Sequence, residues 1–164
     1  MARLAQLRLS MIVSILLVTI IFAAFLGALM LLIRLPLVFS LTFTLLATLA
    51  FILIQYLIGP AIVRRSTGLR YLKPGEHPWL EATAKDLAEK SGMPPPKLAI
   101  VPDPTPNAFV FGRTTRGATL AVHEGLLKQL NEEEVRGVIG HELGHIKHRD
   151  FVVMTVLSAL PLIA

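Results

Sequence analysis

The chain has 164 residues, 54% of them hydrophobic and 16% charged, with a mean hydropathy of +0.65. That excludes a wholly soluble domain and places part of the chain in lipid. The formal net charge is +5, but the positive residues gather beside apolar runs rather than among aromatics, which argues against nucleic acid as a partner; with no cysteine, disulfides and thiolate chemistry are excluded too.

Arg3 and Arg8 precede an uncharged run from Leu9 to Ile33. At about 1.5 Å per residue, a helix of that length exceeds the roughly 30 Å hydrocarbon core of a bilayer, and it is longer than the apolar core of a cleaved signal peptide. It is expected to be retained and to span. Arg34-Leu35-Pro36 interrupts, and a second uncharged run extends from Leu37 to Val63. So short a break predicts a tight antiparallel hairpin of two transmembrane helices. Arg64, Arg65, Arg70 and Lys73 follow the second run, so the positive-inside tendency puts both outer ends in the cytoplasm.

Beyond Arg70 the composition becomes that of a soluble domain. Pro78 to Lys90 places Leu80, Ala84, Leu87 and Ala88 on one helical face, opened by proline and closed by Ser91-Gly92. Short strands are predicted at Lys97–Val101, Phe109–Gly112 and Ala118–Val122, forming a small sheet, with a turn around Arg113 to Arg116. His123 to Leu130 reads as helix. Asn131 followed by Glu132, Glu133 and Glu134 is a strong helix start: a side-chain cap, acids at the positive helix end, and a reach back from Glu134.

That helix carries His141-Glu142-Leu143-Gly144-His145. Histidines four residues apart lie on one face a turn apart, so both imidazoles can reach one zinc ion at roughly 2.0–2.1 Å, while Glu142 is placed to take a proton from activated water. Gly144 leaves one side of the helix bare for close approach. His148 lies on nearly the same face but too far along the helix to join a tetrahedral ion, and His77 and His123 read as loop or cap residues. A catalytic zinc needs a third ligand, and Phe151 to Ala164 holds no acid and no histidine. Asp150 is too distant along a continuous helix unless the helix breaks near Arg149, and is expected to support a histidine or the helix end.

Taken with Pro106-Asn107-Ala108-Phe109, Leu120-Ala-Val-His-Glu-Gly-Leu126 and the apolar run after Asp150, these features in this order resemble the N-terminal half of HtpX-like membrane zinc metallopeptidases, distant relatives of the CAAX prenyl proteases. The resemblance implies an α+β membrane protein: a membrane anchor with two transmembrane helices over 1–65, a zincin-like metallopeptidase domain over 66–150, and the start of a third hydrophobic segment over 151–164. It implies zinc on His141 and His145, Glu142 as general base, and a multi-pass protein of the cell membrane whose cytoplasmic catalytic domain cleaves membrane or misfolded proteins in stress-related quality control. It further implies that Asn107 and the strand Ala118, Thr119, Leu120, Ala121, Val122 frame the substrate cleft, the strand acting as an edge that pairs with an extended peptide. A turn role for Asn107 and plain burial of the strand are the competing readings. Family members complete the zinc site with a downstream glutamate, so the third ligand is expected outside these residues; a non-catalytic membrane scaffold or regulatory subunit retaining the fold is the alternative function.

Overall fold

The computed structural model of the protein describes residues 2–152 and residue 155. Its first two elements are long helices, α1 (Ala2–Leu32) and α2 (Leu37–Thr67). Between them Arg34 takes a left-handed conformation (φ 58°), which ends α1, and Pro36 leads into α2. Phe22 of α1 stacks on Phe51 of α2 with ring centroids 4.1 Å apart. The outward faces are apolar: Leu32 and Val38 are 80% and 78% exposed. Water would penalise such a surface, and lipid would not. Among the described residues, α2 is the one helix long and apolar enough to cross a membrane; the described apolar stretch of α1 is Leu16–Leu32.

By compactness the chain divides into Met1–Ile58 and Gly59–Ala164. In the second unit four strands form one sheet in the order β1-β2-β4-β3: β1 (Arg70–Tyr71), β2 (Lys97–Val101), β3 (Ala108–Phe111) and β4 (Thr119–His123). β2 and β4 are parallel, and the outer strands are antiparallel to their neighbours. The sheet therefore has one strand more than the sequence predicts. Two-residue β1 has no apolar alternation of its own and exists by pairing Arg70 with Ile100 and Tyr71 with Ala99.

The period-two alternation of β2 and β4 sends Ile100, Leu120 and Val122 to one side of the sheet and Ala99, Val101 and Ala121 to the other. On the first side they meet α3 (Pro78–Lys90), through Leu80, Ala84 and Ala88, and α5 (Glu132–His148), through Val135, Ile139, Leu143 and Ile146. Each such large side chain, once fully buried, contributes roughly 1.5–3 kcal/mol. The second side is covered by Val63 and Leu69 with Phe111. Asp86 of α3 pairs with Arg136 of α5, and the short helix α4 (Glu124–Gln129) links β4 to α5.

Of the third hydrophobic segment, Phe151, Val152 and Thr155 are described as helical, and the rest of 151–164 lies outside the described residues. Phe151 is buried in the main core, and Thr155 donates to the Phe151 carbonyl at 2.7 Å.

Candidate metal centre

Helix α5 begins where its sequence says it must. The Asn131 Oδ1 accepts from the amides of Glu133 and Glu134, each at 3.0 Å, and the Glu134 carboxylate accepts the Asn131 amide at 2.9 Å. This reciprocal cap satisfies donors that the first turn leaves open. With Val135, Ile139, Leu143 and Ile146 drawn into the core, the helix has one orientation, and His141, Glu142 and His145 fall off the buried stripe. Their ligand-bearing atoms lie within 4.8 Å of one another, and among the described residues they form the one cluster of three or more such groups close enough to share a cation. The two imidazoles stand edge to face with centroids 4.9 Å apart.

The helix ends at His148 because Arg149 turns left-handed (φ 62°). That single residue swings the chain back, and the buried Asp150 places Oδ2 3.0 Å from Nδ1 of His145. A carboxylate on Nδ1 fixes that nitrogen as the donor, leaving Nε2 as the lone-pair nitrogen available to a metal. Asp150 thus serves His145, as expected for a residue brought back by a helix break. His148 is exposed at the helix end. Gly144 differs from expectation: a Cβ there would meet nothing within 4 Å among the described residues, so no close neighbour uses the bare side.

Glu142 is half-buried beside β3, and loss of hydration raises its carboxyl above the ordinary range; the charges of His145 and His141 and a hydrogen bond from the Val110 main chain act in the opposite direction. The Val110 contact follows from the ladder. The His123 amide donates to the Asn107 carbonyl at 2.9 Å, so by antiparallel alternation Phe109 and Phe111 bond inward to β4 while Ala108 and Val110 turn their main-chain groups to the open edge. A cleft of about 400 Å³ runs along that edge, lined by Val63, Phe109, Val110, Phe111, Glu142 and His145 among others.

The edge is therefore β3, which corrects the expectation for Ala118, Thr119, Leu120, Ala121 and Val122. β4 is bonded on both sides, to β2 and β3, and all five of these residues are buried, so none has a free main-chain edge for a peptide. The parallel β2–β4 pairing takes the side that the sequence left open. Asn107 is exposed, its carbonyl closes the β3–β4 ladder, and it is not among the residues lining the cleft. His123 is more than a cap: it is buried, its ring meets Phe109 edge-on, and Nδ1 lies 3.7 Å from Asp103 Oδ1, too long for a hydrogen bond. The Asp103 carboxyl is lowered chiefly by the Thr105 amide.

Residues 74–164 match Peptidase family M48. The chain is 46% identical over 112 residues to the "Protease HtpX homolog" of Methanothermobacter thermautotrophicus, covering 68% of this chain and 43% of that one. It is 48% identical over 107 residues to the protein of that name from Methanocaldococcus jannaschii, covering 65% and 38%. With that of Moorella thermoacetica it shares 40% over 111 residues, covering 68% and 37%. The matched stretch spans about two fifths of the length of these relatives.

Proposed function

From its membership of peptidase family M48, to which the chain belongs, we propose that it is a membrane-anchored zinc metalloendopeptidase that hydrolyses peptide bonds of membrane or misfolded proteins. The observation that carries the reading is the cluster of His141, Glu142 and His145, two of which, Glu142 and His145, line the cleft along the open edge of β3. The donor set suits zinc: two imidazoles one turn apart, one of them oriented by a buried carboxylate. His141 and His145 would hold the ion.

Bound zinc supplies Lewis acidity, polarising a carbonyl and acidifying water to a pKa of about 7. The protein's own groups do the rest. The Glu142 carboxylate takes the proton of the attacking water and returns it to the leaving amine; a carboxyl raised by burial is the better base for that exchange. Asp150 keeps the His145 ring in one tautomer and one orientation. An extended substrate segment pairs with the outward main-chain groups of Ala108 and with the Val110 carbonyl, the Val110 amide already serving Glu142, which lays a peptide bond along the cleft beside that carboxylate. Two spanning helices over 1–65 anchor a domain over 66–150 on the cytoplasmic face of the cell membrane, the placement favoured by the arginines after α2.

The test is hydrolysis of an unfolded membrane protein by the full-length protein in lipid. Activity is expected to be lost with a chelator, restored by zinc, and abolished by Glu142→Gln with zinc still bound. Persistent cleavage by that variant would refute the assigned base, and failure to bind zinc at all would favour the scaffold alternative.

A further inference from the structure

We propose that the last turn of α2 is the specificity wall of the cleft, admitting uncharged, apolar side chains at alternate positions of an extended substrate; this rests on the reading of the cleft as a peptidase site.

The two faces of β3 meet different helices. Ala108 and Val110 turn toward the core that holds α5, whereas Phe109 and Phe111 turn to the opposite side, where Val63 lies. Glu142 and His145 accordingly line the cleft from one side, and Val63, Ser66 and Thr67 line it from the other. A strand laid against the β3 edge continues the alternation of the sheet, so every second side chain points toward α5 and its reactive groups, and those between point toward α2. This second set meets Phe109 and Phe111, whose ring centroids are 5.9 Å apart. The His123 ring, edge-on at 5.9 Å, backs Phe109 and holds it in the wall.

The α2 side is built without a partner for charge. Residues three and four apart share a helix face, so Val63, Ser66 and Thr67 look into the cleft, while Arg64 and Arg65 are turned off it and do not line it. Both hydroxyls are directed back into their own helix: Ser66 Oγ donates to the Val63 carbonyl at 3.1 Å, and Thr67 Oγ1 donates to the same oxygen at 2.8 Å. The wall therefore keeps no hydroxyl donor for a carboxylate and holds no acid for an ammonium. Among the described residues that line the cleft, the ionisable groups are Glu142 and His145, both on the α5 side. A charged substrate side chain turned toward α2 loses hydration without finding a counter-charge, while an aliphatic one leaves water for two aromatic rings and a valine. Selection thus falls on alternate residues, and its sign is set by α2.

The test uses the zinc-loaded full-length protein in lipid with unfolded casein as substrate, the cut sites being read by mass spectrometry. Aliphatic residues are expected to recur at every second position beside the cut. In peptides copied from a preferred site, replacing such a leucine by alanine should lower kcat/KM about 10-fold, and replacing it by lysine or aspartate about 100-fold. Ser66 is exposed, so Ser66→Asp adds a carboxylate to the wall without disturbing the core. It should raise the lysine-to-leucine ratio of kcat/KM about five-fold, whereas the uncharged Ser66→Asn should leave it at the native value. Thr67→Asp gives the same reading from the neighbouring position. Because the ratio is taken within one variant, it does not depend on how much of that variant is folded. Cleavage without alternate preference, or a ratio moved by neither aspartate, would overturn the wall alone. Absence of cleavage of any substrate by the zinc-loaded native protein would overturn the peptidase reading and the wall with it.

Discussion

Asp150 holds the Nδ1 edge of His145 at 3.0 Å although it lies five residues further along the chain, because Arg149 breaks the helix between them. A straight helix would carry Asp150 about 7.5 Å beyond His145. The carboxylate is buried and contacts one of the two histidines, so its effect on a metal passes through the orientation and basicity of that ring. Replacing Asp150 by Ala is expected to weaken zinc binding about 10–100-fold. Competition against a chelating indicator measures this, and an unchanged affinity would remove Asp150 from the site.

Arg149 itself offers an independent check on the helix break. A left-handed non-glycine residue costs about 1–2 kcal/mol, and glycine in its place loses back about 0.5–1 kcal/mol of chain entropy. Arg149→Gly should therefore leave stability unchanged or raise it by up to about 1.5 kcal/mol, whereas the β-branched Arg149→Val should lower it. Thermal unfolding of the pair in one detergent gives the sign. The valine variant should also weaken zinc binding, since it disfavours the turn that delivers Asp150.

Gly125 sits where no side chain fits. A Cβ there would fall 2.0 Å from the Pro104 carbonyl oxygen and 2.3 Å from its carbon, while the Gly125 amide donates to Asp103 at 3.0 Å. Gly125→Ala must push the Asp103–Asn107 loop away from α4, at an expected cost of about 1–3 kcal/mol or more. A Cβ on Gly137 in α5 would meet nothing within 4 Å among the described residues, so Gly137→Ala is expected to stabilise by up to about 1 kcal/mol. Opposite signs in chemical denaturation are the expected result.

The α3–α5 junction should respond to acid through Asp86. Hydrogen bonds from Lys90 and then Arg136 lower its carboxyl below the ordinary aspartate value. A carboxyl lowered in the folded state stabilises fully above the unfolded pKa and loses that contribution as pH falls through the folded value. Asp86→Asn should therefore be less stable than the native chain at neutral pH, and the two should converge below about pH 4. Parallel unfolding curves across pH test this; a difference that persists undiminished in strong acid would point to packing instead.

Much of the molecule is legible locally. Both apolar runs, the break at Arg34-Leu35-Pro36, α3 and its closure at Ser91, and the cap of α5 all lie near their expected limits, because each depends on residues within one or two turns of one another. The histidine pair is equally legible, since a helix fixes the relation of residues four apart. β1 leaves no trace in the sequence because two residues carry no period. The cleft strand differs from expectation for a related reason: Ala118–Val122 and Phe109–Gly112 are both short apolar runs, and nothing in either says which will have a neighbour on both sides.

The lengths of the apolar helices, the capped start of α5 and the spacing of His141, Glu142 and His145 are written into the order of residues, because all are properties of short-range backbone geometry. Folding in three dimensions was needed to make β3 the open edge, to return Asp150 to His145, and to bring Gly112 and Gly59 against the same threonine, Thr155. These depend on which strands pair, on one left-handed residue and on contacts between segments tens of residues apart. Such contacts are selected by burial of the whole core, and no local pattern encodes them.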